Sequence, residues 1–193
     1  MIIAIDLDDV LANFISAYAY LAHRRYGRPE IGTLPVDWEW SNFGLTREEQ
    51  AKVWDDIKAI PYFWEDLDVE DGVDSNLLRR LHALHTVYFP TARTETCGMS
   101  AAKQSARWVA QNFGIPHPTV IVGYEKGPLA AALKYDYFID DRPKNCLDIQ
   151  KAVPTCKVYL KYSSHNAAFD AEAAGLTRVW DFNEFAKIIL EER

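Results

Sequence analysis

Short apolar runs punctuate the chain at residues 2–5, 86–89, 120–122, 137–139 and 157–160, each bounded by polar or turn residues. Runs of this length, rich in β-branched and aromatic side chains, read as strands buried on both faces. Between the later runs the spacing becomes that of helices. Ser100 stands where it can cap a helix through Phe113, with Ala106, Val109, Ala110 and Phe113 as an apolar stripe and Gly114 with Pro116 as the stop. Residues 128–133, 143–152 and 183–190 read as further helices. Alternation of this kind predicts an α/β fold, a parallel sheet with helices on both faces.

Residues 14–75 break the rhythm. They hold eleven aromatics and no convincing strand run. Residues 14–26 and 46–60 have helical periodicity, and Thr46 with Glu49 makes a capping box. The acidic stretch 66–75 contains Gly72 and reads as a return hinge. The expected organisation is a core domain of residues 1–13 and 76–193, interrupted after the first strand by a small helical cap, residues 14–75.

Composition narrows the classes. With 49% apolar and 25% charged residues the chain is an ordinary folding sequence. A formal charge of −7 disfavours polymeric nucleic acid, whose affinity rests on cationic neutralisation of phosphates. Cys97, Cys146 and Cys156 are far apart and show no metal-binding spacing, nor do the five histidines, which read as surface or packing residues. No run approaches the ~20 apolar residues of a membrane helix, and the start does not read as a secretory leader. The expectation is a cytoplasmic protein without a membrane partner.

The candidate chemistry sits just after the apolar runs. Ligands of open parallel sheets bind beyond the carboxyl ends of the strands. After the first run come Asp6, Asp8 and Asp9; after the second, Thr91, Ala92 and Arg93; after the third, Gly123 and Lys126; after the fourth, Asp140 and Asp141. A lone Asp-x-Asp means little among 16 aspartates, and Asp66 with Asp68 forms a second one; the first is singled out because it closes a strand. Gathering Asp6, Asp8, Asp140 and Asp141 at one edge raises carboxyl pKa values and opposes folding unless a cation compensates. All-oxygen ligation suits Mg²⁺, which takes one or two carboxylates together with substrate phosphate. Lys126 and the Thr91 hydroxyl supply donors for phosphate oxygens. Arg93 reads equally as a phosphate contact or as a structural partner of Asp140 or Asp141. The bland alternatives are a turn lysine paired with Glu125, and a surface pair of Asp141 with Arg142.

These residues resemble the motifs of the haloacid-dehalogenase-like (HAD) phosphohydrolases: Ile-Ala-Ile-Asp6-Leu-Asp8-Asp9, Val-Tyr-Phe-Pro-Thr91-Ala92-Arg93, Lys126-Gly127 and Phe-Ile-Asp140-Asp141-Arg142-Pro143 follow in the family's order. Within it the sequence is most similar to 5'(3')-deoxyribonucleotidases, whose cap segment the run Ile60-Pro61-Tyr62-Phe63-Trp64-Glu65-Asp66-Leu67 resembles. The resemblance implies a Rossmann-like HAD fold, Asp6 as the nucleophile that forms an aspartyl-phosphate, and Asp8 as acid and then base. It implies magnesium on Asp6, the Asp8 carbonyl and Asp141 with Asp140 alongside, phosphate held by Thr91, Ala92, Arg93 and Lys126, and a nucleobase gripped by Phe14, Phe63 and Trp64. The expected substrate is a nucleoside monophosphate. Another small phosphomonoester, such as a sugar phosphate, and a non-catalytic nucleotide-binding protein are the alternatives, and a homodimer is an admissible assembly.

Overall fold

A computed structural model describes residues 1–192. Six strands, β1 (Ile2–Ile5), β2 (Thr86–Thr91), β3 (Thr119–Val122), β4 (Tyr137–Asp140), β5 (Lys157–Lys161) and β6 (Thr177–Val179), form one sheet in the order β3-β2-β1-β4-β5-β6. Every pairing is parallel. In this order the strand sequence reverses between β1 and β4, which opens a crevice at their carboxyl ends.

Alternation along the strands divides the apolar core into two layers. Ile3, Ile5, Val87, Phe89 and Ile139 pack with helices α3 (Ser75–Leu84), α4 (Ala101–Phe113) and α7 (Phe182–Glu191). Ala4, Phe138, Val158 and Leu160 face helices α5 (Lys126–Leu133) and α6 (Pro143–Ala152). Helices thus cover both faces, as the alternating pattern predicts. Among the described residues, no helix is long and apolar enough to cross a membrane.

Between β1 and α3 lie α1 (Phe14–Tyr26) and α2 (Arg47–Ala59). Asn13 caps α1, and the Thr46–Glu49 box forms at the start of α2. The aromatics of this stretch interlock: Phe14 meets Tyr18, Trp40, Trp54, Phe63 and Trp64. They are continuous with the α3/α4/α7 layer rather than a separate core. Exit and entry are tied together, because Asn13 N–H donates to Asp68 O at 2.9 Å and Glu70 N–H donates to Leu11 O at 2.8 Å.

Several elements differ from expectation. Helix α3 was not expected, although Leu77, Leu78 and Leu81 form its buried face. Strand β6 has only three residues, too few for an apolar run to stand out. Ser100 makes no side-chain cap; the Glu95 carboxylate accepts from Ala101 N–H instead. The buried face of α4 runs through Gln104, Ser105, Trp108, Val109 and Phe113, while Ala106 and Ala110 are only half-buried. The polar members of that face have partners: Gln104 Oε1 accepts from Trp64 N–H and Ser105 Oγ accepts from an Arg93 N–H.

Candidate active site

Register assembles the acids. Ile5 is level with Ile139, and Asp6 N–H donates to Ile139 O at 3.0 Å, so Asp6 and Asp140 leave adjacent strands side by side. Carboxylate oxygens of Asp6, Asp140 and Asp141 lie within 4.8 Å of one another, and all three residues are buried. Burial first, and then the surrounding carboxylates, push Asp6 well above the usual carboxylate range; Lys126 opposes them. Asp140 is raised by burial and by Asp141, again against Lys126.

Lys126 is the first residue of α5 and is buried. Its Nζ lies 2.8 Å from Asp6 Oδ1 and 2.6 Å from Asp140 Oδ2. It therefore pairs with the acid cluster and not with Glu125. The close approach of α5 to α6 that seats it depends on Gly127, where a Cβ would stand 3.0 Å from Asp148 O. Asp140 is saturated: beyond Lys126 it accepts from Arg142 N–H at 2.8 Å and from Asn145 Nδ2 at 3.0 and 3.2 Å.

Asp141 is held differently. Asn166 Nδ2 donates to its main-chain carbonyl at 2.6 Å. Its Oδ2 is buried and accepts no hydrogen bond from the described residues, although His165 Nε2 lies 2.8 Å away. A buried carboxylate oxygen left in this state beside two further carboxylates fits a hard cation. Asp140 is committed through both oxygens to Lys126, Arg142 N–H and Asn145, whereas Asp6 is engaged through Oδ1 alone, with Lys126 and Leu7 N–H, so Asp6 and Asp141 are the side chains that could hold one. The suggested Asp141–Arg142 pair is absent; the Arg142 guanidinium sits 4.0 Å over the Trp38 ring, and Trp38 in turn meets His165 edge-on. His165 is buried beside the acids, not on the surface. Asn145, Asn166 and His165 escape motif reasoning because each acts through one neighbour. Asn145 alone had a signal, five residues after Asp140 in the first turn of a proline-started helix.

On the other side of Asp6, Thr91 and Arg93 converge on Asp8. Thr91 Oγ1 donates to Asp8 Oδ2 at 3.4 Å. Arg93 Nε and Nη2 donate to Asp8 Oδ1 at 3.0 and 2.8 Å, and Nη1 donates to Ser105 Oγ at 2.9 Å. The partner of Arg93 is thus Asp8, not Asp140 or Asp141. Ala92, between them, is half-buried. Asp9 lies beside this group at φ 54°, an unusual backbone for a non-glycine, and its carboxylate accepts from Ile15 N–H at 3.0 Å. Burial and Asp141 push its pKa well up.

Phe14, Phe63 and Trp64 are 8%, 6% and 1% exposed, inside the aromatic cluster of the β1–α3 segment. Trp64 offers no open ring face: the Arg93 guanidinium stands 4.9 Å from it.

The profile of the family described as "5' nucleotidase, deoxy (Pyrimidine), cytosolic type C protein" matches residues 1–193. The chain belongs to that family. It is accordingly a HAD-like phosphohydrolase, acting on phosphoric monoesters. The fold agrees with solved structures. A haloacid dehalogenase-like hydrolase from Streptococcus pneumoniae superposes with a TM-score of 0.64 at 12% identity, covering 97% of each chain. A HAD-superfamily hydrolase of subfamily IA from Geobacter sulfurreducens gives 0.58 at 13%, covering 97% of this chain and 98% of that one. A hydrolase from Pseudomonas syringae gives 0.58 at 15%, covering 100% and 99%. No curated protein matches the sequence.

Proposed function

We propose that the protein is a magnesium-dependent phosphatase of nucleoside monophosphates that works through an aspartyl-phosphate. The observation that carries this reading is the convergence of Asp6, Asp140 and Asp141 at the β1/β4 crevice, with Lys126 between Asp6 and Asp140 and with Asp8 close enough to act on the Asp6 charge. Asp6 is the nucleophile: its carboxylate attacks phosphorus, and Lys126, on its Oδ1, favours the ionised form that attack requires. Asp8 protonates the leaving oxygen and then takes a proton from water. Magnesium would be held by Asp6, Asp141 and the Asp8 carbonyl, and when bound it supplies neutralisation of phosphoryl charge. Thr91, Ala92 and Lys126 form the phosphate cradle, with Asp140 fixing Lys126 from behind.

Residues 14–75 form the cap over this crevice, and Phe14 and Phe63 are the rings assigned to the base. The enclosure of the cap aromatics favours one second reading, a smaller phosphomonoester such as a sugar phosphate. A panel of nucleoside, sugar and aryl monophosphates, run with magnesium and with chelator, separates them. Preference for nucleotides, lost with chelator and abolished in Asp6→Asn, supports the first reading. Preference for sugar phosphates selects the second, and full activity of Asp6→Asn refutes the assigned nucleophile in both.

A further inference from the structure

We infer that Arg93 is a positioning residue that sets the acid–base Asp8, and that Trp64 makes this setting depend on how the cap segment after α2 is seated. The inference rests on the phosphatase reading above. An acid that serves a leaving group must hold its oxygen within hydrogen-bond reach of that atom, and a displacement of about 1 Å costs roughly 10²-fold in rate. Asp8 lies on the turn after β1 with a side chain 22% exposed, so packing alone does not lock it. Arg93 does, through a two-nitrogen grip on the carboxylate.

The grip is itself over-determined. The guanidinium is buried, lies 4.9 Å from the Trp64 ring and 5.7 Å from the Trp108 ring, and is tied through Nη1 to Ser105 on α4. Contacts of a planar cation with aromatic faces are directional and stronger when desolvated. Trp64 is registered on the core by its own bonds, Nε1–H to Thr94 O at 2.8 Å and N–H to Gln104 Oε1 at 3.1 Å. Trp108 Nε1–H donates to Leu67 O at 2.6 Å, on the same cap segment. Moving that segment withdraws one wall of the Arg93 slot. Nε, Nη1 and Nη2 of Arg93 each donate to Asp8 or Ser105, so the plane of the guanidinium is fixed from both sides.

The chemistry makes the role measurable. As Asp6 oxygen bonds phosphorus, the bond from phosphorus to the leaving oxygen breaks, its electron pair stays on that oxygen, and the Asp8 proton joins it. An alkyl leaving group needs that proton; a nitrophenolate does not. Arg93→Lys keeps the charge but loses the planar fork. We would measure first-turnover phosphoryl transfer, so that the later water step does not enter, on the alkyl phosphomonoester that the wild-type enzyme turns over fastest and on p-nitrophenyl phosphate. The expected result for Arg93→Lys is a fall of about 10²-fold on the alkyl ester with the p-nitrophenyl rate and both KM values close to wild type. Ser105→Ala and Trp64→Phe should give smaller falls with the same leaving-group selectivity, and they carry the test should Arg93→Lys not fold. Equal losses on both esters, a KM rise on both, or no loss would each overturn the inference. A wild-type enzyme that releases phosphate from neither ester overturns the phosphatase reading itself, a result distinct from all three.

Discussion

Replacing Lys126 by Met tests the electrostatic arrangement of the site without reference to any substrate. The ammonium is 1% exposed and touches two carboxylates, Asp6 and Asp140, that are 9% and 0% exposed. Met retains the apolar stem and removes the charge. Two buried acids, already raised by burial and by their neighbours, then lose their shared counter-ion. Breaking a buried pair from one side costs about 3–5 kcal/mol, because the remaining charge stays desolvated. For a chain of this size each kcal/mol moves Tm by about 2–4 °C, so Tm should fall by roughly 6–20 °C. The assay is thermal and urea unfolding followed by circular dichroism, in chelator at neutral pH. Adding Asp140→Asn in the Met background removes one orphaned acid and should recover part of the loss, whereas in the wild-type background it deprives Lys126 of a partner and destabilises. A double-mutant cycle of this kind should give a coupling of roughly 0.5–3 kcal/mol. A Lys126→Met protein within about 1 kcal/mol of wild type, or an Asp140→Asn effect equal in both backgrounds, would refute the pairing as a determinant of stability.

Four further outcomes follow from other contacts. Magnesium at about 100 times its dissociation constant should stabilise the fold by ~2.7 kcal/mol, raising Tm by roughly 5–11 °C; Asp141→Asn should abolish the shift, and an unmoved wild-type Tm would remove the cation from the site. Gly44 has φ +85°, and a Cβ there would stand 2.4 Å from Glu30 O, so Gly44→Ala should cost more than the ~1–2 kcal/mol of a left-handed L-residue, read by urea unfolding; a neutral substitution would contradict the turn geometry. Thr46→Ala should cost ~1 kcal/mol through loss of the α2 cap. The backbone N–H of Thr46 holds the Glu49 carboxyl below its ordinary value, so the Glu49 contribution is present above the unfolded pKa of ~4.3 and lost as pH falls through the lower folded value; a pH-independent Glu49→Gln effect across that window would contradict it.

The parts of this molecule that could be read from the chain are those whose signal is local. Residues 2–5 announce a strand, the strand ends in Asp6, and a parallel sheet must present that end beside others, so the convergence of Asp6, Asp140 and Asp141 follows once topology is guessed. Ile2–Ile5, Phe14–Tyr26 and Pro143–Ala152 lie where periodicity puts them. Elsewhere two local signals compete. Helix α3 carries Leu77, Leu78 and Leu81 at helical spacing, yet the acidic run before it suggested only a return hinge.

The partners of the site were a different matter, because they depend on side-chain reach across the fold. Arg93 and Asp8 are 85 positions apart, and three acids compete for one guanidinium; only the placement of α4 and Trp64 decides in favour of Asp8. The aromatic stretch was equally ambiguous, since a ring that stacks on a base and a ring that walls an arginine slot have the same composition. Trp64 belongs to the second kind, being enclosed against Arg93 and bonded at both nitrogens. A single preference then explains why Gln104, Ser105 and Trp108 occupy the buried face of α4 where the sequence predicts an apolar stripe of Ala106, Val109, Ala110 and Phe113: that face packs against a buried cation, the Trp64 amide and the Leu67 carbonyl, and each polar atom left unmatched there would cost more than the apolar contact it displaced.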